Sequence, residues 1–269
     1  METLKDHTIV YDDECPMCNI YTRSFVAQGL LDQKGRMAYG EVDKAEFPSV
    51  NWERARNEIA LINRTDHSVT YGLDSLVKVI GHRYGWVSRC LQNRMVRYFM
   101  QHCYFFISYN RKVIAANQAY AQCSCAPTFN RSYRVAYIML AWLFTSLVLV
   151  GYGQLLTSFV PETNVIREFL ICGGQLVFQG VIMALFVKDK VLEYLGNMMT
   201  VSIIGALMLL PSLIAGIFTG PGIFYLGYFL LVVGFMVWEH SRRVKLLKLP
   251  FYLTVTWLVY RLTILLIIL

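Results

Sequence analysis

Residues 8–25 read TIVYDDECPMCNIYTRSF, and their reading decides the N-terminal fold. An apolar, β-branched run is followed by three acids, Asp12, Asp13 and Glu14. Cys15 and Cys18 come next, three positions apart. The run TIVYD predicts a short strand. Residues 18–31 predict a helix, because Ile20, Phe25 and Leu30, with Tyr21 and Val26, fall at near-helical spacing. Pro16 suits the first helical turn, where its missing N–H is no loss. The cysteines thus stand where a strand hands over to a helix. Residues at i and i+3 of a helix have Cα atoms roughly 5 Å apart, within disulfide range. A helix N-terminus favours an anion and so a thiolate, whereas three neighbouring acids oppose one.

The elements continue outward from that junction. Gly35 and Gly40 bracket a second strand, RMAYG, and PSVNWERARN (48–57) predicts a helix. EIALINR (58–64) and SVTYGL (68–73) predict two strands, with a hairpin turn in RTDH (64–67). DSLVKVIGHRYG (74–85) predicts a helix with Asp74 as its N-cap. The resulting order, β-α-β-α-β-β-α, is that of an α/β thioredoxin-like domain.

Composition divides the chain. Of 269 residues 56% are hydrophobic and only 16% are charged, against about 25% charged in an ordinary soluble domain. The apolar excess lies after Arg134. Five spans there, Val135–Phe159, Phe169–Val187, Leu195–Phe218, Gly222–Trp238 and Pro250–Leu269, approach the roughly 20 residues that cross a bilayer. An all-α transmembrane bundle of about five helices is expected. Loops rich in Lys and Arg alternate with poorer ones, which places the N-terminal domain in the cytoplasm and the C-terminus outside. The acidic N-terminus, without an apolar core, shows no secretory signal and agrees. In a reducing compartment the seven cysteines do not predict a disulfide framework. Arg261, midway along the last span, is costly there and suggests either function or snorkelling. Gln154, Gln175, Gln179 and Asn197 predict helix–helix contacts, and Cys172 predicts packing.

Between Asp74 and Glu162 there is no acidic residue. Arg89, Arg94, Arg97, Arg111 and Lys112 alternate there with Trp86, Tyr98, Phe99 and Tyr104. Next to apolar spans, this pattern predicts a helical segment resting on an anionic membrane surface rather than a nucleic-acid site. Three regions follow: a redox domain over 1–84, a basic aromatic segment over 85–134 and a membrane domain over 135–269.

The segment YDDECPMC (11–18) resembles the signature of the DCC family of thiol-disulfide oxidoreductases, Asp-x-x-Cys-x-x-Cys, through Asp12, Cys15 and Cys18. The resemblance continues through TYGLDSLVKVI (70–80) and YFFISYNRKVIA (104–115) and covers about residues 7–116. It implies a thioredoxin-like domain and dithiol–disulfide exchange, with Cys15 as nucleophile and Cys18 as resolving thiol. Two departures stand out. Asp13 occupies a position where the family commonly has Gly. The site before the third strand where thioredoxins keep a cis-proline falls at Asn57–Glu58, and the nearest proline is Pro48.

Alternatives for the cysteines are a metal site and inert thiols. A zinc site needs four ligands, and the second set (His102, Cys103, Cys123 and Cys125) has an unsuitable Cys-x-Cys spacing. Cys123 and Cys125 read either as a second redox pair or as part of a polar linker, and Cys90 and Cys103 as packing. The expected function is a membrane-anchored thiol-disulfide oxidoreductase that needs no cofactor, acting with the bilayer and an unknown protein thiol or disulfide partner. The rival readings are a redox-sensing or assembly module of a membrane complex, and a transporter with a vestigial redox domain.

Overall fold

The computed structural model describes residues 3–117, 127–216 and 222–268. The chain forms two compact units, Met1–Tyr133 and Arg134–Leu269. The first unit contains strands β1 (His7–Tyr11), β2 (Arg36–Ala38), β3 (Ala60–Asn63) and β4 (Val69–Tyr71). Its helices are α1 (Pro16–Ala27), α2 (Trp52–Asn57), α3 (Gly72–Arg83), α4 (Gly85–Cys90) and α5 (Arg94–Ile114). Through α3 the order is β-α-β-α-β-β-α, as the sequence predicts.

The four strands make one sheet in the order β2-β1-β3-β4. β2 runs parallel to β1, whereas β3 is antiparallel to both β1 and β4. Successive side chains of a strand point to opposite faces, and both faces here are covered. Ile9 packs with Phe25, Leu61 and Val79, on the side of α1 and α3. Val10 packs with Ala60, Ile62, Val50 and Ala55, on the side of α2. Full burial of each large aliphatic side chain stabilises by about 1.5–3 kcal/mol, so these two clusters dominate the unit's stability. In α1 the buried face is Cys18, Thr22 and Phe25. Ile20, expected on that face, is exposed.

α3 begins two residues before the expected start. Its N-cap is Tyr71, which makes no side-chain cap, and Asp74 lies in the first turn, paired with Arg97 at 2.8 Å. The early start depends on Gly72, whose φ of +58° turns β4 directly into the helix. A Cβ there would meet the Glu58 carboxylate and the Tyr104 ring.

The second unit is helical: α6 (Arg131–Gln154, its first residues in the first unit), α7 (Val165–Phe186), α8 (Val191–Gly216), α9 (Gly222–Leu246) and α10 (Tyr252–Ile268). Among the described residues four helices are long and apolar enough to cross a membrane, which marks an integral membrane protein by length and composition. The expected fifth span falls short of that length. A turn with Lys248 at φ +54°, followed by Pro250, delays α10, which then runs 17 residues. α6, α7 and α8 each start four residues before the expected span, and two helix ends differ more. α6 ends at Gln154 rather than Phe159. α9 continues past Trp238 because Glu239 pairs with Arg242 and Arg243, three and four residues on, at 2.6 and 2.7 Å.

Polar groups inside this unit bind one another across helices. Gln175 donates to the Trp257 carbonyl at 3.0 Å, and Gln179 to Thr256 at 3.2 Å. The Tyr194 hydroxyl donates to Gln179 and meets His240, whose other ring nitrogen meets Thr254. Asn197 accepts from Arg243 at 3.0 Å. Gln154 instead reaches the Thr163 carbonyl beyond its helix.

Gly72→Ala should destabilise the first unit by about 1–3 kcal/mol, through a left-handed backbone and displaced neighbours. The measurement is the rate at which a thiol reagent reaches the buried Cys15 and Cys18 in urea, for the full chain in detergent. A rate equal to that of the unsubstituted chain would rule out this role for Gly72.

Candidate functional site

Cys15 is the N-cap of α1, with extended φ and ψ of −83° and 111°, and Pro16 follows at the first helical position. The Cys15 sulfur accepts the N–H of Cys18 at 3.5 Å. The two cysteines are not joined in a disulfide, and both are buried. Thr22 locks the next turn by donating to the Cys18 carbonyl at 2.7 Å.

Asp12 builds the turn that leads into this cap. Its Oδ1 accepts the backbone N–H groups of Glu14 and Cys15, each at 3.2 Å. This is the local turn chemistry for which Asp is suited. Its Oδ2 accepts Nε of Arg111 at 3.1 Å, and the side chains of both partners are more than nine-tenths buried. Arg111 also donates to the carbonyls of Arg56 and Asn57 and to the Ser108 hydroxyl. Those two carbonyls belong to the last turn of α2, where they lack helical partners. One guanidinium therefore neutralises Asp12 and caps α2. Tyr104, two turns before Arg111, accepts the Ile59 N–H at 3.0 Å, opposite the cysteines.

The electrostatics follow from this geometry. Burial raises the Asp12 carboxyl above the ordinary carboxylate value, while Arg111 and the amides of Glu14 and Cys15 pull it back. Glu14 is also raised, by burial and by the charges of Asp12 and Asp13. Asp13 is exposed. The three acids therefore do not place three equivalent charges beside the sulfurs. The Cys18 thiol is pushed far up, first by its hydrogen bond with Cys15 and then by burial. Burial and the nearby Cys18 push Tyr21 up as well. Cys18 thus keeps its proton at neutral pH and donates toward Cys15. The Cys15 sulfur sits at a helix N-terminus and receives the Cys18 N–H, features that favour an anion, while its complete burial opposes one.

An apolar cavity of about 380 Å³ adjoins the pair. Cys18 and Tyr21 of α1, Ile59, Leu76 of α3, and Tyr104 and Ile107 of α5 line it. Cys18 reaches this cavity, whereas Cys15 is fully covered.

Asp12, Cys15 and Cys18 therefore come together. Arg111, Tyr104 and Tyr21 complete the site, and sequence reasoning did not assign them to it. Arg111 was expected on a basic membrane-facing surface; instead it is buried, because it answers Asp12 and the end of α2. The earlier part of the basic segment does stay outside, with Trp86, Met95, Tyr98 and Phe99 exposed. Cys90, expected to pack, is exposed. Cys123 and Cys125 lie outside the described residues. Among the described residues no group of three or more His, Cys, Asp or Glu is placed to hold a metal ion.

Comparison of the chain with protein-family models, with curated proteins and with solved structures finds no match.

Arg111→Met should cost the first unit about 3–5 kcal/mol at neutral pH, because it strands a buried carboxylate. Adding Asp12→Asn should recover part of that loss. Strictly additive losses in this double-mutant cycle, read by urea unfolding, would mean that the pair is not coupled. A pH series adds a second check. The folded Asp12 holds its proton to higher pH than the unfolded one. Its contribution to stability is therefore full below the ordinary carboxylate value and is lost as pH rises through the folded value. Asp12→Asn should abolish that decline, and a decline of unchanged size would assign it to other groups.

Proposed function

We propose that the chain is a membrane-anchored thiol-disulfide oxidoreductase of the DCC type, with a thioredoxin-like first unit. The observation that carries this reading is Cys15 as N-cap of the helix after β1, its sulfur receiving the Cys18 N–H. The β-α-β-α-β-β-α order supports the same reading. In the forward half-reaction the Cys15 thiolate attacks a partner disulfide. A mixed disulfide forms, and one partner sulfur leaves as thiolate. Cys18 then loses its proton and attacks the Cys15 sulfur. The second partner thiolate leaves, so the partner is reduced and Cys15–Cys18 is oxidised. Arg111 acts as a positioning residue by holding Asp12 and hence the turn at Cys15. The apolar cavity at Cys18 suits a hydrophobic partner segment.

One observation favours a second reading. Both sulfurs are covered, which suits a redox-sensing module that exchanges only when its surroundings open. Trapping separates the two. Cys18→Ser, expressed in cells, should accumulate a mixed disulfide of defined mass through Cys15. Absence of any adduct, with full wild-type behaviour of a Cys15→Ser strain, would falsify the enzyme reading. An adduct in Cys15→Ser alone would transfer the nucleophile's role to Cys18.

The first unit is proposed to face the cytoplasm, with exposed Trp86, Met95, Tyr98 and Phe99 among arginines at the inner leaflet. Cys90 is exposed and reports on this directly. A membrane-impermeant maleimide should label it only after cells are permeabilised. Labelling in intact cells would reverse the orientation.

A further inference from the structure

The helical unit holds an open cavity of about 250 Å³ with mostly aliphatic walls, among them Leu149 of α6 and Leu209 of α8. Hydrogen-bond donors collect in its lining with nothing to receive them. The Thr145 hydroxyl on α6 and the Trp257 indole N–H on α10 are both without a partner. Thr145 is 4% exposed and Trp257 is 1% exposed. Arg261 lies one turn beyond Trp257, its guanidinium carbon 5.5 Å from the indole ring centre. Its Nε is buried and also lacks a partner. Indole N–H and guanidinium Nε–H can only donate, and the Thr145 hydroxyl can turn to donate. Buried polar groups in proteins are normally satisfied, so three unmet donors in one cavity call for an acceptor.

The neighbouring charges define what that acceptor is. Glu168 lines the same cavity but is paired with Arg167 at 3.0 Å. The Cys172 thiol makes a side-chain hydrogen bond with Arg261, which still leaves Nε of Arg261 unmet. The cavity therefore keeps the positive charge of Arg261. Water can satisfy a hydroxyl or an indole N–H, but it does not neutralise a cation. The cavity is also smaller than the roughly 300–1,000 Å³ of sites that enclose a drug-sized ligand. It accommodates a small headgroup and the start of one chain.

We propose that this cavity binds a long-chain fatty acid, with its carboxylate on Arg261, Trp257 and Thr145 and its acyl chain along the aliphatic wall. Charge-assisted Arg–carboxylate bonds are among the stronger hydrogen bonds and match the planar guanidinium. This binding is separate from dithiol exchange and does not depend on it.

The test uses the full chain in phosphatidylcholine nanodiscs, with oleate as probe and methyl oleate as the uncharged reference. Oleate should bind saturably and about tenfold more tightly than its ester, the scale of one charge-assisted hydrogen bond. Arg261→Gln should reduce oleate to the affinity of the ester. Thr145→Val and Trp257→Phe keep the shape and remove one donor each, and each should weaken oleate about threefold to tenfold. These two variants decide the matter if Arg261→Gln does not yield monodisperse protein. Equal binding of oleate and ester, or unchanged oleate affinity in all the variants that fold, would overturn the proposal. Full displacement of oleate by phosphatidylglycerol in the disc would overturn the single-chain assignment.

Discussion

The first unit depends on one buried ion pair, Asp12 with Arg111. Taking two charges out of water costs several kcal/mol per ion, so the pair is not the source of the unit's stability. The two apolar clusters on either face of the sheet supply that. What the pair supplies is position. A single guanidinium meets the carboxylate after β1, the last carbonyls of α2 and a hydroxyl one turn back on α5. Three segments far apart in the chain are thereby held to one point, and the cysteine cap hangs from that point through the Asp12 turn.

The helical unit meets the same constraint without water to help. A polar side chain between apolar helices has to find a partner inside the protein. Tyr194, Gln179, His240 and Thr254 form one such chain of contacts, and Glu239 binds two arginines on its own helix. Around Arg261 three unmet donors, on Thr145, Trp257 and Arg261 itself, share the lining of one cavity.

Much of the fold could be read from residue order. The element order through α3 follows from alternation, turn residues and helical spacing, all of which are local. The site was legible in the same degree: Asp12, Cys15 and Cys18 lie within seven residues of one another, so their meeting is a local fact too. Arg111 was not legible, because its partner lies 99 residues away and a basic residue in a basic stretch carries no mark of burial. The start of α3 was misread because Asp74 is a good N-cap by type. The backbone at Gly72 decides the start instead. The end of α9 was misread because charges normally close a membrane span. Here Glu239 and its arginines offset one another at helical spacing and the helix continues.

The distance between Asp12 and Arg111 along the chain has a consequence for synthesis. As the protein leaves the ribosome, the motif with both cysteines emerges long before α5. Until α5 docks, the turn at Cys15 has no guanidinium to hold it and the cavity at Cys18 lacks one wall. A nascent chain that stops short of Arg111 carries the whole motif without the assembled site. The two-cysteine site is therefore a property of the completed first unit rather than of the residues from Asp12 to Cys18 alone.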